Sequence, residues 1–298
     1  MAIAKRIFFF VTVNILVLTT ITITLNLVSY FFGIRINPNS AMGLIMFCAV
    51  FGMGGAFISL LASKFMAKKF MGVKIVDPQS NDHNLRALVE TIHGLARKAQ
   101  LPKMPEVGIY NSPEVNAFAT GPSKSNSLVA VSSGLLQRMN REQVEGVLAH
   151  EITHVANGDM VTMTLIQGVI NTFVMIFARL IAGIIAGQLD DRARPAIEFV
   201  LIIVLQIALS ILGYLVVAKF SRWREYKADA GGARLAGREN MISALQALAG
   251  TQQLVDNRNQ NFSSFKISSG RRGGLAFLMS THPPLEDRIK RLQTATKL

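Results

Sequence analysis

Two stretches without a single charge, each 28 residues long, constrain this chain most: one lies between Arg6 and Arg35, the next between Arg35 and Lys64. At about 1.5 Å per helical residue, either stretch reaches across a hydrocarbon core of about 30 Å. Two shorter runs follow, with 19 uncharged residues between Asp159 and Arg179 and 20 between Glu198 and Lys219. The runs predict membrane-spanning helices near 7–32, 41–63, 161–187 and 197–218. The first is far longer than the ~7–15-residue core of a signal peptide and ends at no small-x-small site, so it reads as an uncleaved anchor. Gln167, Asn171, Arg179 and Gln206 lie within the later runs, where polar groups face other helices or water.

Lysine and arginine set the orientation. Lys5 and Arg6 precede the first run, Lys64, Lys68, Lys69 and Lys74 follow the second, and Lys219, Arg222, Arg224 and Lys227 follow the fourth. By the positive-inside rule these ends are cytoplasmic, and so are both termini. The formal net charge is +13, and several of the basic residues behind it cluster at these ends. Such basic clusters meet anionic head groups, and no nucleic-acid module accompanies them, so the lipid bilayer and not nucleic acid is the expected partner. The single cysteine, Cys48, excludes an intramolecular disulfide and a cysteine metal site.

Two polar pieces then share one side, 64–158 and 219–298, together 175 residues and enough for one core. The expected organisation is two N-terminal spans in 1–63, a first part of a soluble domain in 64–160, a membrane hairpin in 161–218 and a second part in 219–298. Apolar residues at helical spacing predict a helix over 83–100. "EVGIYN" (106–111) and "NSLVAVSS" (126–133) read as strands, joined by a turn-rich connection or sheet edge over "NSPEVNAFATGPSKS". Residues 141–156 read as a helix with Asn140 and Gln143 as a capping box. Further helices are expected near 224–236, 238–250 and 284–294. The fold class is α+β and mainly helical, with four transmembrane helices and a discontinuous cytoplasmic domain.

"HEITH" places His150 and His154 one helical turn apart, so both imidazoles lean to one side. That spacing suits two nitrogens on one tetrahedral zinc, with Glu151 beside them to take a proton from water. The helix is otherwise apolar, and a buried helix rarely carries two histidines and a carboxylate without a use for them. The competing reading is chance spacing in a core helix. A catalytic zinc needs a third protein ligand, and His83, His93, His282 and the acids remain. The best acid lies in "SRWREYKADAGG" (221–232), where Glu225 and Asp229 are four apart. Glu225 can bind the metal and Asp229 can fix the tautomer of a ligand histidine. The bland alternative is a solvated acid pair among basic neighbours.

At these residues the sequence resembles the HtpX heat-shock proteases, gluzincin-type bacterial membrane zinc metallopeptidases related to the CAAX prenyl proteases. "NAFATG" (116–121), "HEITHVANGDMVTMTLIQG" (150–168), "REYKADAG" (224–231) and "STHPPLEDRI" (280–289) occur in order, with apolar runs before and between them. The resemblance covers nearly the whole chain. It implies one zinc per chain held by His150, His154 and Glu225, Glu151 as general base and Asp229 in support of the ligands. It also implies that "NAFA" aligns extended substrate and that Asn116 and His282 point at the metal-bound water and the scissile carbonyl. On residues alone, His282 can instead cap the helix that follows, and Asn116 can be a turn residue. The implied activity is zinc-dependent endoproteolysis of misfolded membrane proteins or unfolded polypeptide at the cytoplasmic face of the inner membrane. Other quality-control proteases are candidate partners. A prenyl-peptide protease would need a larger membrane chamber than four spans build, and a metal transporter would need ligands inside the spans.

Overall fold

The computed structural model describes Tyr30 and residues 40–251 and 279–296. The first expected span, 7–32, lies outside the described residues apart from Tyr30, as does most of the polar stretch after Thr251. Among the described residues, three helices are long and apolar enough to cross a membrane: α1 (Ala41–Phe70), α5 (Asp159–Ala186) and α6 (Arg194–Ala236). The described chain divides into two compact units. One comprises residues up to Ser59 with Thr164–Tyr214, and the other comprises Leu60–Met163 with the residues from Leu215 onward.

In the first unit, glycines let helices approach. A Cβ on Gly52 would strike Thr172, one on Gly168 would strike Met53, and one on Gly213 would strike Ile170. Small residues at such crossings are how helices pack where lipid and side chain are equally apolar. Gln167 donates to Asn171 at 2.8 Å within the unit, and the Arg179 guanidinium sits 5.2 Å from the Phe47 ring centroid.

The second unit is built on a four-stranded sheet, β1 (Lys74–Ile75), β2 (Glu106–Tyr110), β3 (Ala117–Ser123) and β4 (Asn126–Ser132). The strand order is β1-β2-β4-β3, so β3 is an edge. It pairs antiparallel with β4, while β2 and β4 run parallel. β4 is buried on both faces, and its alternation divides the core. Val129 and Val131 join a large cluster with Ile92, Leu148, Ile152 and Leu245, while Leu128 and Ala130 join Ala67, Val73, Tyr110 and Phe118. Each fully buried aliphatic side chain in such a core contributes roughly 1.5–3 kcal/mol.

The helices of the large cluster are α2 (His83–Lys98), α4 (Arg141–Asn157), α7 (Arg238–Thr251) and α8 (Leu285–Thr294), with the short α3 (Ser133–Arg138) after β4. Asp82 caps α2 and Asn140 caps α4. In the α4 cap, Gln143 N–H donates to Asn140 Oδ1 at 2.9 Å and Asn140 N–H donates to Gln143 Oε1 at 3.1 Å, so the expected capping box forms. One expectation needs correction. The separate helices near 197–218 and 224–236 are one helix of 43 residues. The charged segment "KFSRWREYK" ends the apolar run, but no glycine or proline interrupts the chain between Gly213 and Gly231. Nothing there breaks the backbone hydrogen bonds.

Candidate active site

The capping box fixes where α4 starts, and three turns later the helix presents His150 and His154 on one side. Both are buried, and their Nε2 atoms lie 3.1 Å apart. α6 brings Glu225 and Asp229 against this face. It can do so because the residues after Asp229 are small. A Cβ on Gly231 would run into the Thr153 side chain, and one on Gly232 would stand 3.1 Å from the His150 backbone nitrogen. With only hydrogens there, the two helices close. Glu225, fully buried, then sets Oε2 at 3.4 Å from His150 Nε2 and Oε1 at 3.4 Å from His154 Nε2.

The outer ring nitrogens are held as well. His150 Nδ1 lies 3.0 Å from Asp229 Oδ1, and His154 Nδ1 lies 2.6 Å from Asp159 Oδ2. A carboxylate on Nδ1 places the proton there and turns the Nε2 lone pair inward. Asp229 is itself gripped by Arg288 of α8, whose Nε and Nη2 donate at 2.8 and 2.6 Å in a two-point pair. Arg288 is 1% exposed, and its Nη1, 3.8 Å from Glu225 Oε2, has no hydrogen-bond partner. His282 comes from the segment before α8. Arg222 donates to the Ser280 carbonyl at 2.7 Å and Ser280 Oγ donates to the His282 carbonyl at 2.7 Å, which fixes that segment. His282 Nδ1 then stands 2.9 Å from Glu225 Oε2, short but not aligned as a hydrogen bond. The helix cap is at Pro284 and uses no side chain, so His282 does not serve as one.

Burial opposes charge throughout this cluster, and the neighbours overrule it. Burial pushes the Glu225 carboxyl up, but His282, His154 and His150 hold it well below the usual carboxylate range. Burial likewise raises Asp229, and the Arg288 cation outweighs it, leaving a pKa of about 2. Burial lowers His150, yet its bonds to Asp229 and Glu225 lift it to about 9. The site is therefore an anionic pocket that draws a cation: a proton on His150 when no metal is present, or a metal that displaces it.

His150, His154 and Glu225 each offer one ligand atom, and these atoms lie within 4.8 Å of one another. Two neutral imidazole nitrogens and one carboxylate suit a divalent transition metal, and Glu225 Oε2, which accepts no hydrogen bond, is an acceptor left over for it. Glu151, buried beside His150, faces the sheet instead. Its Oε2 accepts the Ala119 N–H of β3 at 2.9 Å. Asn116 immediately precedes β3, with its N–H on Ser132 Oγ at 3.1 Å and its side-chain amide donating to the Tyr110 hydroxyl at 2.9 Å. His83 and His93 do not join the cluster. His83 is exposed at the start of α2, and His93 Nε2 lies 3.1 Å from the Pro105 carbonyl oxygen.

Sequence reasoning missed two residues of this arrangement. Asp159 entered only as the charge before the third apolar run, and Arg288 only as part of "STHPPLEDRI". The first had a signal in the preceding Gly158, the left-handed turn (φ 72°) that folds the chain back on α4. The second had a weaker one, a basic residue at helical spacing between Leu285 and Leu292 on the buried face of α8.

A histidine pair one turn apart, a carboxylate donor from a distant helix and a further carboxylate on a sheet edge together define a metallopeptidase. Residues 82–296 match Peptidase family M48. The chain belongs to that family and is of the HtpX type, a membrane metalloprotease. It is 50% identical over 296 residues to the Protease HtpX homolog of Bacillus licheniformis, covering 97% of this chain and 99% of that one. To Protease HtpX of Aeromonas salmonicida it is 48% identical over 297 residues, with 97% and 99% covered. Its fold is similar to the crystal structure of S. mikatae Ste24p, with a TM-score of 0.62 at 18% identity. That match covers 94% of this chain, which spans 62% of the other.

Proposed function

We propose that this chain is a zinc endopeptidase of the bacterial inner membrane that cuts misfolded membrane proteins and unfolded polypeptide at the cytoplasmic face, in quality control and stress response. The observation that carries the reading is the position of Glu151, with its carboxylate on the edge strand and its backbone one residue from His150. His150, His154 and Glu225 would hold the metal, and a His/His/Glu set favours zinc over magnesium or calcium. When bound, zinc supplies Lewis acidity to water and to the scissile carbonyl.

The chain's own residues do the rest. Ala119 turns its N–H away from β4 and onto Glu151, so the edge of β3 beside Glu151 can take an extended substrate as an added strand. Glu151 takes the proton of the attacking water and returns it to the leaving amine. Asn116 and His282 supply N–H groups for the oxygen on which charge develops. Asp229 keeps His150 in the ligand tautomer, and Arg288 keeps Asp229 ionised and oriented. The proposed frame is four spans, with the soluble domain split over 64–160 and 219–298 and turned to the cytoplasm by its flanking lysines and arginines.

The test is Glu151→Gln in the full-length protein, with zinc content and cleavage of a membrane substrate measured together. Expected are zinc near one per chain and cleavage reduced about 10³-fold, within the ~10²–10⁴ typical of a lost acid–base group. Retained zinc with retained cleavage would remove Glu151 from the mechanism.

A further inference from the structure

The two histidines of α4 are not held in the same way. His150 takes its acid from a separate helix, through Asp229 and Arg288. His154 takes its acid from five residues further along its own chain. α4 ends at Asn157, Gly158 turns in the left-handed conformation (φ 72°, ψ 31°), and Asp159 opens α5. That turn returns the Asp159 carboxylate to the last turn of α4, where Oδ2 meets His154 Nδ1 at 2.6 Å with both residues buried. The Gly158 carbonyl accepts the Thr162 N–H at 3.1 Å, so α5 is helical from its first residue and Asp159 sits at its positive end.

From this geometry we infer that Asp159 is a positioning residue for the metal, fixing the tautomer and ring orientation of His154. The inference deepens the zinc reading above and rests on it. Asp159 touches neither substrate nor metal; it acts through His154. The sole covalent path from the ligand to this carboxylate is the Gly158 turn, so the first residue of a membrane-capable helix and a metal ligand are set by one backbone conformation.

The experiment uses full-length protein in detergent, with zinc competed against a chelator of known affinity at fixed pH. Loss of such a carboxylate typically weakens a site 10- to 100-fold. Asp159→Asn, which keeps an acceptor but no charge, is expected to raise the zinc Kd about tenfold, and Asp159→Ala to raise it further, towards about 100-fold. The d–d absorption of the cobalt-loaded protein is expected to change in both, and Asp191→Asn is expected to match the parent. A Kd within twofold of the parent for both variants, with or without a lower unfolding midpoint of the metal-free protein, overturns the assignment and leaves Asp159 structural. A parent that binds no zinc, or His154→Ala binding as tightly as the parent, instead overturns the zinc site itself and the assignment with it.

Discussion

Arg288 shows how the site's charges depend on one another. It is buried with Asp229, and each would be costly alone, since removing one partner of a buried pair leaves an uncompensated charge. Arg288→Leu is expected to destabilise the protein by about 3–5 kcal/mol, read as a lower thermal midpoint. The Asp229→Asn, Arg288→Leu double variant is expected to recover part of that loss, because no charge is left unpaired. The same pair sets an acid limit. Asp229 has a pKa of about 2, below its ordinary 3.8, so its contribution is complete above pH 3.8 and is lost as pH falls towards 2. His150 acts on metal binding in the opposite direction. Its pKa of about 9 in the metal-free protein means that metal must expel a proton below that pH. Zinc affinity is therefore expected to rise about tenfold per pH unit from about pH 7 and to level off near 9, as read by chelator competition at each pH.

At the scale of elements, the site depends on how closely α6 approaches α4. Gly231 faces Thr153 and Gly232 faces the His150 backbone. Gly231→Val is expected to push the helices apart, cost about 1–3 kcal/mol of stability and lower zinc occupancy, as measured by thermal unfolding and metal analysis. Features carried by local spacing were legible in the sequence. The helix over "HEITH", its Asn140–Gln143 cap, the strands at 106 and 126 and the turn of helix that pairs Glu225 with Asp229 all follow from short-range pattern. Features carried by long-range packing were not. β1 is two residues long and is defined by its pairing with β2, so no pattern within it marks a strand. α6 crosses a change from apolar to charged composition without a break, which hydropathy alone reads as an end. Asp159 and Arg288 acquire meaning only from partners that the fold supplies, one across a left-handed turn and the other 59 residues away in sequence.

At the scale of the molecule, the account has a catalytic unit assembled from two chain segments with a membrane-capable hairpin between them. In the sequence, the apolar runs and their flanking lysines and arginines predict that organisation, and the four ordered motifs agree with it. The proposed topology has its own check. Reporters fused after Leu298 and inserted in 190–195 are expected to report opposite sides of the membrane, with the former cytoplasmic. Reports from one side would contradict the four-span arrangement.

The central claim is that a metal held by His150, His154 and Glu225 cuts peptide bonds. Its most direct measurement is metal content and cleavage of a membrane substrate by the purified full-length protein, before chelation, after chelation and after zinc is returned. The expected result is about one zinc per chain, activity lost in step with the metal and activity restored with it, with Glu225→Ala showing neither metal nor restoration. Cleavage that persists in the fully chelated protein would contradict the account.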